Sequence, residues 1–410
     1  MFLDSGSFDR PYQHRSETDV VVMKTLAKGK FPKPDTGFGK KECLEIDLFD
    51  SNCYISRPSG PWIEAASVLV FFLMGLLTGI SAFLIALAED LINEHVWDLC
   101  QQLIDHHYLF PAWCVYTSFA LIFAGTAAAL SVYVGPGAIG SGIAEIMGYL
   151  NGVNYPLLLN KSTMLVKILG VTLAVSAGLR VGKEGPLAHI GACIGIWIVY
   201  LPLGFTKYFR NDKDKRELVA AGASAGVSAA FASPIGGALF GFEISSPASF
   251  WSFSLMWKIF FACSISTFVL NFLESVKLNN QFLLINAGLI KLGKQETIPF
   301  NMVHLPFFFL FGWVCGILGA AFVFLNGKII NLRKRFLTTN GRKIAETVVL
   351  AFLTTTVVFF LPLMNEGKCQ KLEGLESKEI FRQYTCEEGE YNGLASLFFN
   401  TEGQTIKIFF

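Results

Sequence analysis

Long apolar segments alternate with shorter polar ones along this chain from residue 62 onward. A helix that crosses a membrane needs about 20 apolar residues. Several segments are shorter than this or contain internal glycine and proline, as in broken helices that line a cavity within a membrane protein. The pattern predicts an all-α protein with several membrane crossings. The apolar segments are Trp62–Ala88, Leu109–Val134, Met164–Leu179, Leu187–Phe205, Leu218–Phe242, Phe250–Phe272, Leu305–Leu325 and Ile344–Leu363.

The composition strengthens this interpretation. Only 16% of the 410 residues are charged, whereas soluble domains carry about 25% charged residues. The formal net charge of +1 is close to zero, which argues against nucleic acid as a partner. The composition therefore favours a protein whose main surroundings are membrane lipid.

The polar segments predict which side of the membrane each one faces. Residues 1–60 form a lysine-containing leader that we expect in the cytosol, together with basic clusters at 207–216 and 328–343. The loop at 365–391 is acidic and should face the opposite side. If that side is an oxidising lumen, Cys369 and Cys386 are candidates for a disulfide.

Small residues recur at four-residue spacing, which allows two helices to approach closely in lipid. One such pair is a weak signal, but five pairs together predict a compact helical bundle. The pairs are Gly75/Gly79, Gly191/Gly195, Gly222/Gly226, Gly237/Gly241 and Gly312/Gly316.

Three glycine-rich stretches read as loops that lead into short helices. They are GPGAIGSGIAEIMGYLNG from Gly135, GKEGPLAHIG from Gly182 and GASAGVSAAFASPIGGALFGFE from Gly222. The N-terminus of a helix presents unpaired N–H groups and a partial positive charge. Two or three such ends that converge would hold an anion weakly enough to release it, as transport requires.

Glu184 and Ser141 are the side chains at these loops with the clearest chemistry. A carboxylate inside a membrane is costly, so we expect Glu184 to be functional. At the helix ends that attract an anion it would compete as a tethered anion, and protonation would release the site. The alternative is an interfacial glutamate paired with Lys183 or Arg180. The Ser141 hydroxyl either caps its helix or donates a hydrogen bond to the anion.

Other classes of function fit the residues poorly. GLRVGKE resembles a nucleotide-binding loop but has one residue too few between its glycines, and Glu184 replaces the serine or threonine that holds magnesium. The apolar segments contain isolated acids without a convergent catalytic set, so no enzyme activity, catalytic residue, metal site or cofactor is predicted. His189 reads as a packed, hydrogen-bonded histidine.

The stretches GSGIAE, GKEGPLAHIG and AAFASPIGGALFGFE resemble the CLC family of chloride channels and chloride/proton exchangers, in the family's order, from about Cys43 onward. The resemblance implies broken and tilted helices in an inverted repeat, a homodimer, and Glu184 as the gating glutamate. It implies a chloride site made by Ser141, Gly140, Gly142, Ile143, Gly182, Lys183, Gly185 and Pro186. MGYLNGV and GEYNGLASLFFNT are most similar to the late-endosomal and lysosomal branch, which implies an intracellular membrane.

Three departures from the family pattern matter. Ala144 stands where proline is usual, with a small expected effect because alanine also favours a helix. Exchangers carry two consecutive glutamates where this chain has Glu243 and Ile244, so a proton path through Glu184 and Glu243 is open to doubt. The chain also stops at Phe410, before a later anion-site motif and the CBS domains.

We therefore expect a complete first transmembrane repeat at 61–275 and a partial second repeat at 276–410. The predicted activity is chloride transport of the voltage-gated channel type with Glu184 as gate, favoured because of Ile244. Two alternatives remain, namely a chloride/proton antiporter of endosomal or lysosomal type and a truncated, non-conducting subunit.

Overall fold

The computed structural model describes residues 60–153, 155, 157–246, 251–277, 301–365, 369–372, 381–387, 389–401 and 404–405. All of these lie within one compact unit, Cys43–Phe410. The predicted leader, residues 1–60, therefore lies outside the described residues except for Gly60.

The described chain is almost entirely helical, as the apolar pattern predicts. Besides loops and turns, the described residues include a short antiparallel pair of strands, β1 (Gln370–Lys371) and β2 (Glu390–Tyr391). The α-helices are α1 (Pro61–Asp105), α2 (Leu109–Ala129), α3 (Ile143–Leu150), α4 (Lys161–Ser176), α5 (Glu184–Val199), α6 (Asp212–Phe231), α7 (Pro234–Ser245), α8 (Phe253–Lys277), α9 (Leu305–Phe336), α10 (Asn340–Phe360) and α11 (Gly393–Phe398).

Five of the described helical segments are long and apolar enough to cross a membrane. Helix α5 is apolar but shorter, at 16 residues. The five segments are Pro61–Asp105, Leu109–Val134, Phe253–Lys277, Met302–Phe336 and Asn340–Met364.

The apolar segment Leu218–Phe242 is a broken helix. Helix α6 ends at Phe231, and Ala232 adopts a left-handed conformation with φ of 48°. The Ser233 side chain then accepts a hydrogen bond from the Gly236 amide, and Pro234 opens α7. Proline at the first helical position and serine just before it are the local signals for such a restart.

Helices α5 and α6 form the centre of the bundle because glycines let their backbones touch. A Cβ added to Gly191 would collide with the carbonyl oxygen of Gly222, and one added to Gly226 would collide with that of Leu187. The Leu218–Ala221 turn of α6 is fully enclosed, at no more than 1% exposure. Small residues at these positions therefore set how closely the two helices approach.

Two further glycine pairs make comparable contacts, and one does not. Cβ atoms added to Gly75 and Gly79 would lie 2.6 Å from backbone oxygens of α8, those of Ala262 and Ser266. Gly237 on α7 similarly meets the Ser224 carbonyl. The expected close approach at Gly312 and Gly316 is not found, since no described atom lies within 4 Å of either added Cβ. Helix α9 has no buried residue within the described chain.

A second apolar cluster lies where α1 ends, α2 begins and α10 ends. Residues 381–387 and 389–401, here called the cap, place Tyr384 and Phe399 against Trp97, Ala112 and Phe359. The Tyr384 hydroxyl donates to the Phe359 carbonyl at 2.8 Å. The cap thus encloses this end of three helices.

Cys369 and Cys386 are joined by a disulfide, with Cα atoms 5.9 Å apart. This is the pair that the acidic loop suggested as a candidate. The bond links Cys369, the residue before β1, to the cap.

Candidate functional site

The first residues of α3 and α5 meet, although more than 40 residues separate them in sequence. A Cβ added to Gly185 would lie 2.6 Å from the Ser141 Cβ, so the two backbones are in direct contact. A Cβ added to Gly142 would collide with Nδ1 of His189 on α5. The structure therefore brings the Gly140–Ile143 and Gly182–Pro186 stretches together, as the anion-site prediction requires.

Two left-handed glycines shape the start of α3. Gly140 and Gly142 have φ of 77° and 87°, a conformation that favours glycine because it has no Cβ. They turn the chain so that Ser141 lies on the exposed side between them. The Ile143 amide donates to the Ser141 hydroxyl oxygen over 3.4 Å, which is long for a cap and leaves the hydroxyl proton for another acceptor.

Lys167, which is not among the site residues predicted from the sequence, binds this loop from its buried side. Its ammonium donates to the carbonyl oxygens of Ala138 at 2.8 Å and Gly140 at 2.6 Å. The residue is 4% exposed. The signal that could have found it is a lysine within the apolar segment Met164–Leu179, because intramembrane charges are rare and usually functional.

Glu184 is the first residue of α5. Its side chain is half-buried, and its carboxylate folds back over Gly182, where a Cβ would collide with Oε2. The Leu187 amide bonds to the Lys183 carbonyl, and Pro186 has no N–H group. Within the described part of the chain, the amides of Glu184 and Gly185 show no hydrogen-bond acceptor, as is usual in the first turn of a helix.

The two basic groups proposed as partners of Glu184 bind elsewhere. Arg180 donates to the Phe398 carbonyl of the cap, and its guanidinium lies 5.7 Å from the centre of the Phe398 ring. The Lys183 ammonium lies 3.0 Å from the carboxylate of Glu89 on α1. Neither contact was predicted, and both leave the Glu184 carboxylate without these cations.

Of the two residues proposed for a proton path, Glu184 begins α5 and Glu243 lies on α7, next to Ile244. Ile244 is 5% exposed, whereas Glu243 lies on the exposed side of the same helix. Successive helical residues point about 100° apart, so Glu243 does not share the position of Ile244. The structure therefore leaves an apolar side chain at the buried position.

His189 is a packed histidine, as its surroundings in the sequence suggest. It is fully buried, and its Nε2 lies 2.9 Å from the Leu158 carbonyl oxygen. Its ring packs directly against Gly142. Among the residues that the structure describes, no group of three or more His, Cys, Asp or Glu side chains could hold a metal ion.

The sequence profile of the voltage gated chloride channel family matches residues 123–399, which include both loops of the site. The chain belongs to the CLC family. The family fold also appears in solved structures, although at low sequence identity. A slow cyanobacterial Cl⁻/H⁺ antiporter superposes with a TM-score of 0.57 at 24% identity, over 70% of this chain and 63% of that chain. A eukaryotic CLC transporter gives 0.56 at 21% identity, over 76% and 54%.

Curated relatives carry both transporter and channel names. H(+)/Cl(-) exchange transporter 7 of Mus musculus is 38% identical over 393 residues, which is 90% of this chain and 48% of that protein. Chloride channel protein A of Dictyostelium discoideum is 32% identical over 430 residues, or 90% and 49%. This CLC chain thus spans about half the length of these relatives. It is an integral membrane protein with several crossings.

Proposed function

We propose that this CLC chain transports chloride in exchange for protons, with Glu184 as the gate. The observation that carries the proposal is the contact between the starts of α3 and α5, with the Glu184 carboxylate beside it. Unpaired amides at two helix starts favour a bound anion without a full positive charge. Weak binding of this kind allows the anion to leave again.

In this mechanism the Glu184 carboxylate and chloride compete for the same amide donors. The ionised carboxylate occupies the site, and protonation removes its charge and frees the donors. The Ser141 hydroxyl, whose oxygen already accepts from the Ile143 amide, would donate its proton to the chloride ion. The Lys167 ammonium is directed at carbonyl oxygens, so it orients the loop and leaves binding to the dipoles.

We favour chloride/proton exchange over channel-type conduction because of the names of the most similar relatives. The sequence alone favoured channel-type conduction, whereas the relative at 38% identity is named an exchanger. This finding favours the antiporter alternative. The buried Ile244 supports channel-type conduction as the second candidate, since an isoleucine cannot carry a proton. Under the exchange proposal, Glu243 or a group beyond the described residues would serve the proton path together with Glu184.

The oligomeric state and the membrane are proposed from the family resemblance. We propose a homodimer in an endosomal or lysosomal membrane, with residues 1–60 in the cytosol and the disulfide-linked cap on the luminal side. The boundaries of the two repeats, 61–275 and 276–410, stay predictions. The non-conducting subunit, the second sequence-based alternative, would also place this chain in such a membrane.

Chloride efflux from proteoliposomes tests the proposal. Wild-type protein should release chloride, and Glu184→Ala should remove the gate, so that efflux no longer responds to pH. Glu64→Ala, which changes an exposed glutamate in the first turn of α1, is the matched control and should behave as wild type. An imposed chloride gradient should drive protons uphill in the wild type.

Other results in these assays would contradict the proposal in different ways. Chloride efflux without proton movement would replace exchange with channel-type conduction. The absence of efflux, combined with altered efflux when a longer CLC protein is reconstituted with this chain, would establish the subunit alternative. A Glu184→Ala variant with wild-type pH dependence would contradict the role of Glu184 as gate.

A further inference from the structure

A buried carboxylate on α1 faces the lysine that precedes the gating glutamate. The Glu89 Oε2 atom lies 3.0 Å from the Lys183 Nζ atom, and the Glu89 side chain is 1% exposed. Lys183 is the N-cap residue of α5, directly before Glu184. The two partners are 94 residues apart in sequence, so the contact depends on how α1 packs against α5.

The next residue on the same helix provides a contrast. Asp90 pairs with Lys277 of α8 at 2.9 Å, but both side chains are about one-third exposed. Exposed ion pairs contribute little because water screens both charges. A carboxylate as buried as Glu89 is costly to ionise unless a cation compensates it, and the Lys183 ammonium provides that charge. The buried pair is therefore the one with electrostatic consequences for the site.

An ammonium one residue from Glu184 would influence any anion at the start of α5. A full positive charge in a region of low dielectric constant attracts an anion much more strongly than helix dipoles do. It would also attract the ionised Glu184 carboxylate and hold it in one position. An anion therefore leaves the site more readily if the Lys183 charge is neutralised and directed toward α1.

We propose that Glu89 is a positioning residue that neutralises Lys183 and holds its ammonium away from the anion path, leaving the amide donors of α5 to set chloride affinity. This inference rests on the proposed function of the α3–α5 site. It assigns Lys183 an indirect role, whereas the family resemblance suggested a place in the chloride site itself. It assigns Glu89 a role that the sequence motifs do not indicate.

The test is a double-mutant cycle on Glu89→Gln and Lys183→Met, with Asp90→Asn as the matched control. Chloride is titrated into the purified protein by calorimetry, and efflux is measured as a function of internal chloride concentration. Glu89→Gln should tighten chloride binding by about tenfold, equivalent to 1.4 kcal/mol. It should also lower the maximal rate, since a tightly held ion leaves slowly.

The double variant should return close to wild-type affinity because both the ammonium and the carboxylate of this pair are then absent. A purely structural role for Glu89 would instead make the two single effects additive and would weaken binding in both. If Glu89→Gln does not fold, the double variant, which removes both charges, still reports on charge balance. Wild-type affinity in Asp90→Asn shows that the effect is specific to the buried pair.

Two results would overturn the inference while the proposed function stands. One is a Glu89→Gln variant that binds and releases chloride like Asp90→Asn while Glu184→Ala still changes gating. The other is a double variant with affinity as low as the weaker single variant. A wild-type protein that neither binds nor moves chloride would instead contradict the proposed function, and this inference with it.

Discussion

Gly185→Ala tests the contact on which the proposed site depends. The added methyl group would lie 2.6 Å from the Ser141 Cβ, whereas two carbon atoms pack at about 3.5–4.0 Å. The start of α3 would therefore have to move by about 1 Å relative to the start of α5. Overpacking of this kind costs about 1–3 kcal/mol in unfolding free energy.

The same displacement should weaken chloride binding. A hydrogen bond to a charged group contributes about 1.5–3 kcal/mol, so misaligning one amide donor should reduce affinity by about tenfold. Thermal unfolding in detergent measures the stability change, and chloride titration measures the affinity. Gly204→Ala is the matched control, because no described atom lies within 4 Å of a Cβ added there.

An unchanged chloride affinity in Gly185→Ala would refute this reasoning. It would show that the two helix starts do not act on the ion together, even though they are in contact. A loss of stability equal to that of Gly204→Ala would show that the contact is looser than the backbone positions indicate.

Two other changes probe the support of the site and the packing of the bundle. Lys167→Met should leave the Ala138 and Gly140 carbonyls without their donor, which costs about 1–3 kcal/mol and loosens the loop, so chloride efflux should fall. Lys161→Met on the exposed first turn of α4 should leave efflux unchanged, and equal efflux in both variants would contradict the role of Lys167. The methyl group added by Gly191→Ala would collide with α6. This overpacking should lower the free energy of unfolding by about 1–3 kcal/mol, which is measured as a lower thermal unfolding midpoint. Gly312→Ala, at a position where no described atom lies within 4 Å of the added Cβ, should leave the midpoint unchanged. Similar midpoints in the two variants would show that α5 and α6 can move apart with little loss of stability.

Much of the fold could be predicted from local sequence. The apolar segments predict the membrane-crossing helices, and glycine and proline within the shorter segments predict broken helices such as α6 and α7. The third glycine-rich stretch predicts a loop from Gly222 onward, but residues 222–231 belong to α6, and the break comes at Ala232. The glycine motifs predict loops that enter α3 and α5. These features depend on hydrophobicity and backbone preference within a few residues, which the sequence states directly.

The partners of the charged groups could not be predicted in this way. Lys183 stands beside Glu184 in the sequence, yet its ammonium meets Glu89, 94 residues earlier. Arg180 binds the Phe398 carbonyl, 218 residues later. Side chains as long as these reach several neighbours, and only the packing of distant helices decides which one they meet.

The burial of individual residues on α7 likewise depends on packing. Glu243 and Ile244 are adjacent in sequence, but one is exposed and the other buried once α7 packs.

The sequence by itself thus determined the membrane class, and it indicated broken helices and named the residues of the candidate anion site, which stay a prediction. Their chemistry follows from residue type and near neighbours. Tertiary structure alone decided that Ser141 touches Gly185, that Lys167 bonds to the Gly140 carbonyl and that Glu89 pairs with Lys183. Each of these contacts joins segments far apart in the chain, and burial makes the resulting electrostatic interactions strong enough to matter.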